Sequence, residues 1–296
     1  MNPSIVSFVY LVAGILFILG IKGLTKPKTA VRGNRLSALG MLVAVVITLL
    51  DSSIVNYNYI IAGVLVGGLI GAVMALRIQM TSMPQMVALL NGFGGGASLT
   101  IALAEYYSKL GSAPESFAAL LNPVAADANA FGVGAEGTIA VVAIGLTVLI
   151  GAVTLTGSFV AFAKLQELMK KSYGLPGGPT GNGIFLLCAL AAVVFLALNP
   201  GNSVAMVSIV GLALLLGLFL VMPIGGADMP VVIALLNSYS GIAAALAGFI
   251  LGNTVLIVAG SLVGTSGLIL TQIMCVAMNR SLANVLFGKM AATGEV

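Results

Sequence analysis

Nine runs of apolar residues, each close to the length that spans a bilayer, constrain this chain more than any other feature. They cover residues 4–22, 36–50, 58–76, 84–104, 138–165, 183–199, 203–222, 230–251 and 254–278. A bilayer core takes about 20 apolar residues per helix. Only 7% of the residues are charged, against about 25% in soluble domains. The sequence therefore predicts an all-α integral membrane protein, a nine-helix transmembrane bundle in the lipid bilayer.

The basic residues predict the orientation of this bundle. With nine helices and the N-terminus outside, all but one of the 12 basic residues fall on the cytoplasmic side. They are Lys22, Lys26, Lys28, Arg32, Arg35, Arg77, Lys164, Lys170, Lys171, Arg280 and Lys289. Only Lys109 falls on the other side. Basic residues concentrate in cytoplasmic loops, so we expect an outer N-terminus and a cytoplasmic C-terminus. Topology then explains the net charge of +4, and no nucleic-acid partner is implied.

Two loops are longer than the others. In the outer loop 105–137, the segment from Pro114 to Leu121 is expected to form a short surface helix. The inner loop 172–181 is rich in Gly and Pro and reads as a linker between two halves. Helix five is expected to continue through Lys164 to Lys171, with lysines that act as ordinary anchors at the membrane surface.

One phrase occurs twice, at residues 83–95 and 229–241. The copies lie 146 positions apart and share Met-Pro, Ala-Leu-Leu-Asn and a final Gly. Four helices separate them, so the pattern predicts a parallel repeat in which helices 2–5 match helices 6–9. We therefore expect one transmembrane domain, 1–296, with a first half at 36–165 and a second half at 182–278. The alternative is convergent helix-start chemistry on two Leu- and Ala-rich helices.

The residues around each copy extend the likeness. Asn34, ahead of helix two, roughly matches Asn182, ahead of helix six. Ser82 and Asp228 stand just before Met-Pro, where both are good N-caps and Pro is tolerated in the first turn. Asp228 also carries charge at the membrane mouth, so a cap and a functional charge are both open for it.

Each copy places one amide in the membrane. Asn91 and Asn237 lie eight residues beyond their helix starts, which is about 12 Å along the helix. An unsatisfied polar group in hydrocarbon costs several kcal/mol. The amides therefore either join helices by hydrogen bonds or face one polar path between the halves.

Hydroxyl side chains add to the candidate path. Helix nine contributes Ser261, Thr265 and Ser266, and Ser238 follows Asn237 directly. Helix five offers Thr154, Thr156 and Ser158. Each hydroxyl can also bond to its own helix backbone. The candidate polar path comprises Asn91, Asn237, Ser238, Ser261, Thr265 and Ser266. The chain has no His and no charged side chain at mid-membrane, so the titrating group of a proton relay must lie elsewhere.

Soluble chemistry has no motif here. The chain shows no phosphate-binding loop, no metal-ligand spacing and no nucleophile paired with a base, so no metal, cofactor or catalytic residue is predicted. The segment 92–96 is rich in Gly, but it lies inside an apolar run and follows no strand. Cys188 and Cys275 lie in apolar runs, and no disulfide scaffold is implied.

Three segments resemble the beta subunit of proton-translocating NAD(P) transhydrogenase. They are 225–241, beginning Gly-Gly-Ala-Asp-Met-Pro, 256–270, containing Gly-Ser-Leu-Val-Gly-Thr-Ser-Gly, and 273–281. Together they span about sixty residues. The resemblance also covers the helix count, because that subunit has nine membrane helices.

The resemblance implies that proton movement is coupled to hydride transfer from NADH to NADP+ in a bacterial inner membrane. Asn237 would be the family's intramembrane Asn, with Asp228 and Arg280 coupling the cytoplasmic mouth to NADP(H) binding. The partners would be alpha subunits, which supply further membrane helices, in a homodimer of the complete unit. NAD(H) and NADP(H) would be bound elsewhere in the enzyme.

This chain departs from the family pattern in two ways. Many relatives carry His at the position of Asn91, so the titrating group is expected on an alpha-subunit helix. The family's NADP(H)-binding domain follows the last helix, whereas this chain stops at Val296. We therefore expect a truncated membrane domain that is not catalytic by itself.

Two further functions stay open on the residues alone. A secondary transporter for a small neutral solute would use the parallel repeat with a midplane site, and the scarcity of intramembrane charge suits it. A purely structural membrane scaffold is the other.

Overall fold

The computed structural model describes residues 3–50, 57–111, 131, 134–169 and 178–287. All regular structure in these ranges is helical. The helices are α1 Pro3–Leu24, α2 Pro27–Leu49, α3 Tyr57–Arg77, α4 Met83–Lys109, α5 Ala135–Leu165, α6 Pro179–Leu198, α7 Ser203–Val221, α8 Met229–Ile250, α9 Thr254–Ala277 and α10 Leu282–Phe287. Short 3-10 turns, Met80–Ser82 and Gly226–Asp228, precede α4 and α8. Within the described ranges, nine helices are long and apolar enough to cross a membrane, which confirms the predicted bundle of membrane helices.

Two helices begin earlier than hydropathy predicted. α2 begins at Pro27 rather than residue 36, and α6 begins at Pro179 rather than residue 183. In both, proline occupies the first turn, where its missing N–H costs nothing. The prediction that Asn34 and Asn182 precede their helices is therefore wrong. Both lie inside helices, because polar first turns carry no hydropathy signal.

The prediction that helix five continues beyond the membrane to Lys171 is also wrong, because α5 ends at Leu165. Glu167 adopts the left-handed conformation, with φ of 56°. The amide of Leu168 then bonds to the carbonyl of Ala163 at 2.9 Å, as in a Schellman motif. Lys170, Lys171 and the segment from Pro114 to Leu121 lie outside the described residues.

The chain forms two compact units, Met1–Met83 and Pro84–Val296. In the first unit, α1 and α2 form a close hairpin. A Cβ built on Gly33 would lie 2.6 Å from the carbonyl oxygen of Gly20, so only glycine permits this approach. The hydroxyls of Tyr10 and Thr48 are hydrogen-bonded at 2.9 Å. No residue of α3 is buried.

In the second unit, α5 lies among four other helices, and its glycines mark the contacts. Gly145 faces Val193 of α6, and Gly151 faces α4. Gly157 faces Val221 of α7 and Leu236 of α8. Small residues let membrane helices approach closely enough for dispersion contacts to hold them. This packing places α4 and α8, the two helices with the intramembrane amides, against the same central helix.

Two glycine pairs form closely similar helix crossings. Where α4 crosses α5, a Cβ on Gly95 would lie 2.8 Å from the Gly151 oxygen, and one on Gly151 would lie 2.7 Å from the Gly95 oxygen. Where α8 crosses α9, the corresponding distances are 2.9 Å and 2.7 Å for Gly241 and Gly260. Gly95 and Gly241 lie 146 positions apart in the sequence, the spacing of the repeated phrase.

The neighbouring contacts follow the same correspondence. The backbone amide of Leu99 meets Gly151, and that of Ala245, 146 positions later, meets Gly260. One turn nearer the start of each helix, Gly92 faces Ser158, and Ser238 faces Gly267. Each pair of helices therefore crosses in the same way at several successive contacts.

Replacing Gly241 with valine is expected to destabilise the α8–α9 crossing. The new side chain would overlap the backbone of Gly260 and Gly264, and overpacking of this kind costs about 1–3 kcal/mol or more. The measurement is thermal unfolding of the complete protein in detergent. Gly211→Val is the matched control, because no atom lies within 4 Å of a Cβ at that helical glycine. Equal unfolding temperatures for the two variants would contradict the assigned crossing.

Candidate functional site

The two helices that carry the amides begin alike. The turn Met80–Ser82 runs directly into α4, and Gly226–Asp228 runs directly into α8, again 146 positions apart. Of the two roles left open for Asp228, the helix cap is wrong, because Asp228 has helical φ and ψ and makes no side-chain cap hydrogen bond. Its backbone already continues the helical path, which leaves the carboxylate free for another partner.

That partner is Arg280. Oδ2 of Asp228 lies 3.4 Å from Nη2 of Arg280, and the Asp228 side chain is only 6% exposed, against 37% for Arg280. A carboxylate this deeply buried depends on its counter-charge, since an unpaired buried charge costs several kcal/mol. The pair ties the start of α8 to the end of α9.

The end of α9 sets the position of Arg280. Asn279 adopts the left-handed conformation, with φ of 53°. The Arg280 amide then bonds to the carbonyl of Cys275 at 2.9 Å, and that of Asn279 bonds to Val276 at 3.1 Å. This is a Schellman motif, in which Asn takes the place of the usual glycine. It ends α9 at Ala277, three residues before the arginine, and turns the chain toward Asp228.

Lys164 has specific partners within the protein, which the anchor role expected from the sequence did not include. Its Nζ donates hydrogen bonds to the backbone carbonyls of Met222 and Ile224, the latter at 2.7 Å. These carbonyls follow the C-terminal end of α7, where the helix dipole attracts positive charge. Lys164 therefore fixes the connection that leads into Asp228, a role with no signature in the sequence.

Asn91 joins α4 to α8. It is only 6% exposed, and its Nδ2 donates to the carbonyl of Ile233 at 3.2 Å. In a helix this carbonyl also accepts from the amide of Asn237, four residues later. The contact predicted as interhelical glue is therefore present for Asn91, and it lies one turn from Asn237.

Ser158 of α5 lies beside Asn91. The sequence pattern did not distinguish it from the other hydroxyl residues of helix five. It is fully buried, and Gly92, next to Asn91, faces its Cβ at 3.1 Å. Its hydroxyl oxygen is buried and has no hydrogen-bond partner within the described part of the chain. Thr154 and Thr156 differ, because their hydroxyls bond to backbone carbonyls at 2.7 and 2.9 Å.

Asn237 is half-buried, and its side-chain amide makes no hydrogen bond to any residue in the described ranges. On α8 it lies between two packed faces. Ile233 and Ser240 lie toward α4, and Ser238 and Gly241 lie toward α9. Its side chain therefore occupies the edge between these contacts, where part of it is still accessible.

Ser238 is fully buried, and its Oγ donates to the carbonyl of Gly264 on α9 at 2.7 Å. The other hydroxyls predicted for the path lie elsewhere. Ser261, Thr265 and Ser266 are exposed on α9, because Gly260, Gly264 and Gly267 form the face that packs on α8. At 100° per residue, Ser261 and Thr265 lie about 40° apart on one flank, and Ser266 lies about 100° beyond Thr265, toward the other flank. Ser266 bonds to its own helix at the carbonyl of Val263, at 2.9 Å.

The arrangement combines two kinds of polar site. The first kind lies along the helices, away from their ends, where amides and hydroxyls can hydrogen-bond water or each other. It consists of Asn91, Ser158, Asn237 and Ser238. Asp228 and Arg280 form a charged pair at one end of α8. Among the described residues, no group of three or more His, Cys, Asp or Glu could hold a metal ion.

Comparison with known proteins gives consistent matches. The profile of the family described as NAD(P) transhydrogenase beta subunit matches residues 6–296. Two curated relatives from Rhodospirillum rubrum, each named NAD(P) transhydrogenase subunit beta, are 42% identical over 300 aligned residues. The alignment covers 100% of this chain and 60% of each relative, so the chain spans less than two thirds of their length.

Proposed function

Since this chain belongs to the NAD(P) transhydrogenase beta subunit family, we propose that its helices form the proton-conducting membrane part of a proton-translocating NAD(P) transhydrogenase. In the complete enzyme, proton movement would be coupled to hydride transfer from NADH to NADP+. The observation that carries this proposal is the Asn237 amide. It lies in the membrane without a hydrogen-bond partner among the described residues, one turn from the bonded amide of Asn91.

The two amides have different roles in this proposal. Asn91 joins α4 to α8 through the Ile233 carbonyl, which supports a positioning role. Asn237 is accessible, which supports a role in hydrogen-bonding the transferred proton through water. Ser158 extends the inner part of the path, because its buried hydroxyl has no partner within the described ranges. Ser261, Thr265 and Ser266 would join the path only where a further helix covers the exposed face of α9.

We infer that the titrating group of the path comes from another chain. Neither His nor any charged residue occurs in the sequence between residues 84 and 104, 137 and 163, 229 and 250, or 254 and 277. Amides and hydroxyls relay protons but do not hold them near neutral pH. We place this group on a membrane helix of an alpha subunit, which would cover the accessible side of Asn237.

Asp228 and Arg280 would couple the path to nucleotide binding. Their ion pair joins the start of α8 to the end of α9, so a force on the segment after α9 reaches the helix that carries Asn237. The described helices include no phosphate-binding loop, and we assign NAD(H) and NADP(H) binding to other parts of the complete enzyme. The unit would act as a homodimer in a bacterial inner membrane, with an outer N-terminus and a cytoplasmic C-terminus.

The similar glycine crossings support the proposed parallel repeat. Gly95 with Gly151 and Gly241 with Gly260 cross in the same way, and Leu99 and Ala245 occupy equivalent places. A duplication of α2–α5 into α6–α9 accounts for both crossings. Convergence at the helix starts alone would not extend to these contacts in the middle of the helices.

The test of the proposed function uses the full-length protein with its alpha partner in proteoliposomes. An inward-directed proton gradient is expected to accelerate NADPH formation from NADH and NADP+. The secondary-transporter alternative expects solute uptake that needs no nucleotide. NADPH formation that is indifferent to the proton gradient in sealed vesicles would refute the proposal.

A further inference from the structure

A cavity of about 330 Å³ lies inside the second unit. It is bounded by α5, α6, α7, α8 and the short helix α10. The lining residues are mainly aliphatic and include only two with polar groups, Asn182 and Tyr239. The volume is at the lower end of the ~300–1,000 Å³ that ligand pockets typically occupy.

The cavity is elongated along the helices. Asn182 near the start of α6, Leu220 at the end of α7 and Leu286 of α10 lie at one end of the bundle. Tyr239 and Ile242 lie ten and thirteen residues beyond Met229 at the start of α8, which is about 15 and 20 Å along the helix. The space therefore extends from the bundle end to about its middle.

The cavity opens at the exposed surface of α6. Gly183 lines it, is exposed, and has no atom within 4 Å of a built Cβ. Leu186, one turn further, also lines it and is 41% exposed. In contrast, Leu149 and Leu216 on the inner wall are 6% and 5% exposed. The opening thus connects the hydrocarbon around α6 with a wall that lies among the helices.

We expect this cavity to be neither empty nor filled with water. Protein interiors are close-packed, and an empty cavity forfeits dispersion contacts with every residue that lines it. Water enters a cavity only where it finds two to four polar partners, which this aliphatic lining does not offer. Acyl chains are the apolar medium that surrounds the opening, so they are present there at the highest concentration.

We propose that this cavity is a binding site for one acyl chain of a bilayer phospholipid, which enters past Gly183 and lies along Leu149, Leu216 and Tyr239. Contact with Tyr239 places the acyl chain on the side of α8 that faces away from Asn237. Tyr239 is two residues from Asn237 and therefore about 200° around α8 from it. A bound acyl chain fills the space behind α8 and holds that helix in place opposite the half-buried Asn237. The binding site does not depend on the proposed function.

The experiment uses the full-length complex in liposomes that contain phosphatidylethanolamine with a photoreactive diazirine in its acyl chain. After irradiation, adducts are mapped by peptide mass spectrometry. We expect adducts on Leu149 and Leu216, which lipid around the outside of the bundle does not reach. Adducts on Leu187 report the surrounding lipid, because that side chain is 67% exposed.

Gly183→Leu is expected to close the opening and to lower the yield of Leu149 and Leu216 adducts about tenfold, with unchanged labelling of Leu187. Gly211→Leu is the matched control and is expected to change neither, because that exposed helical glycine also has open space and does not line the cavity. Leu186→Trp is a second variant that narrows the same entrance and is expected to act like Gly183→Leu. Absence of inner-wall adducts in the unmodified protein, or equal yields in both glycine variants, would overturn the proposal.

Discussion

Arg280→Met is expected to destabilise the complete protein by about 3 kcal/mol, the order found when one partner of a buried ion pair is removed. The carboxylate of Asp228 is 6% exposed and would be left without its counter-charge. Asp228→Asn is expected to cost less, because Arg280 is 37% exposed and water can solvate it. The measurement is unfolding by denaturant in mixed micelles, with both single variants and the double variant compared.

The double variant separates structure from coupling. Asp228→Asn added to Arg280→Met removes the buried charge, so most of the lost stability is expected to return. Proton-coupled NADPH formation is not expected to return with it, since neither charge is left to link α8 to the end of α9. If coupled rates recover together with stability, the pair is only a structural contact.

Asn237→Leu is expected to lower proton-coupled transhydrogenation at least about tenfold, which corresponds to about 1.4 kcal/mol in the barrier. Stability should change little, since this amide makes no hydrogen bond within the described ranges and leucine suits a membrane helix. The assay compares gradient-driven NADPH formation in proteoliposomes with the binding of NADP(H) to the same preparation. Near-normal coupled rates with intact folding would remove Asn237 from the proton path.

Asn91→Leu is the matched control for that substitution, at the equivalent position of the repeated phrase. It removes the hydrogen bond to the Ile233 carbonyl and is expected to lower stability by about 1 kcal/mol. Asn237→Leu is therefore expected to change mainly the coupled rate, and Asn91→Leu mainly the stability. A larger stability loss for Asn237→Leu than for Asn91→Leu would contradict the assignment of the hydrogen bond to Asn91 rather than to Asn237.

The membrane helices were largely predictable, because apolar length is a direct physical requirement of the bilayer. Their polar ends were not. Hydropathy missed the first turns of α2 and α6, although Pro27 and Pro179 at the first helical position are recognised start signals. The end of α5 at Leu165 depends on Glu167 in the left-handed conformation. That conformation is predicted at Gly or Asn but not at glutamate.

The candidate site was predictable by residue type and only partly by position. The repeated phrase identified Asn91 and Asn237, since an amide inside an apolar run is visible in sequence. The direction of each side chain was not visible. α9 packs through Gly260, Gly264 and Gly267, so Ser261 and Thr265 fall on a flank. The glycine spacing of three and four residues was the signal for this face. Lys164 looked like a surface anchor because its partners are backbone carbonyls, which no sequence pattern distinguishes.

The close contact of Gly241 with Gly260 is a fixed point, or fulcrum, on α8. Asp228 and Asn237 lie at unequal distances from it. Asp228 lies thirteen residues from this fulcrum and Asn237 only four, or about 20 Å and 6 Å along the helix axis. When α8 tilts about the crossing, a shift of about 3 Å at the charged end moves Asn237 by about 1 Å. That is enough to make or break one hydrogen bond. In the proposed function, a displacement of the Asp228–Arg280 pair would therefore reach Asn237 as a movement of about one third of its size.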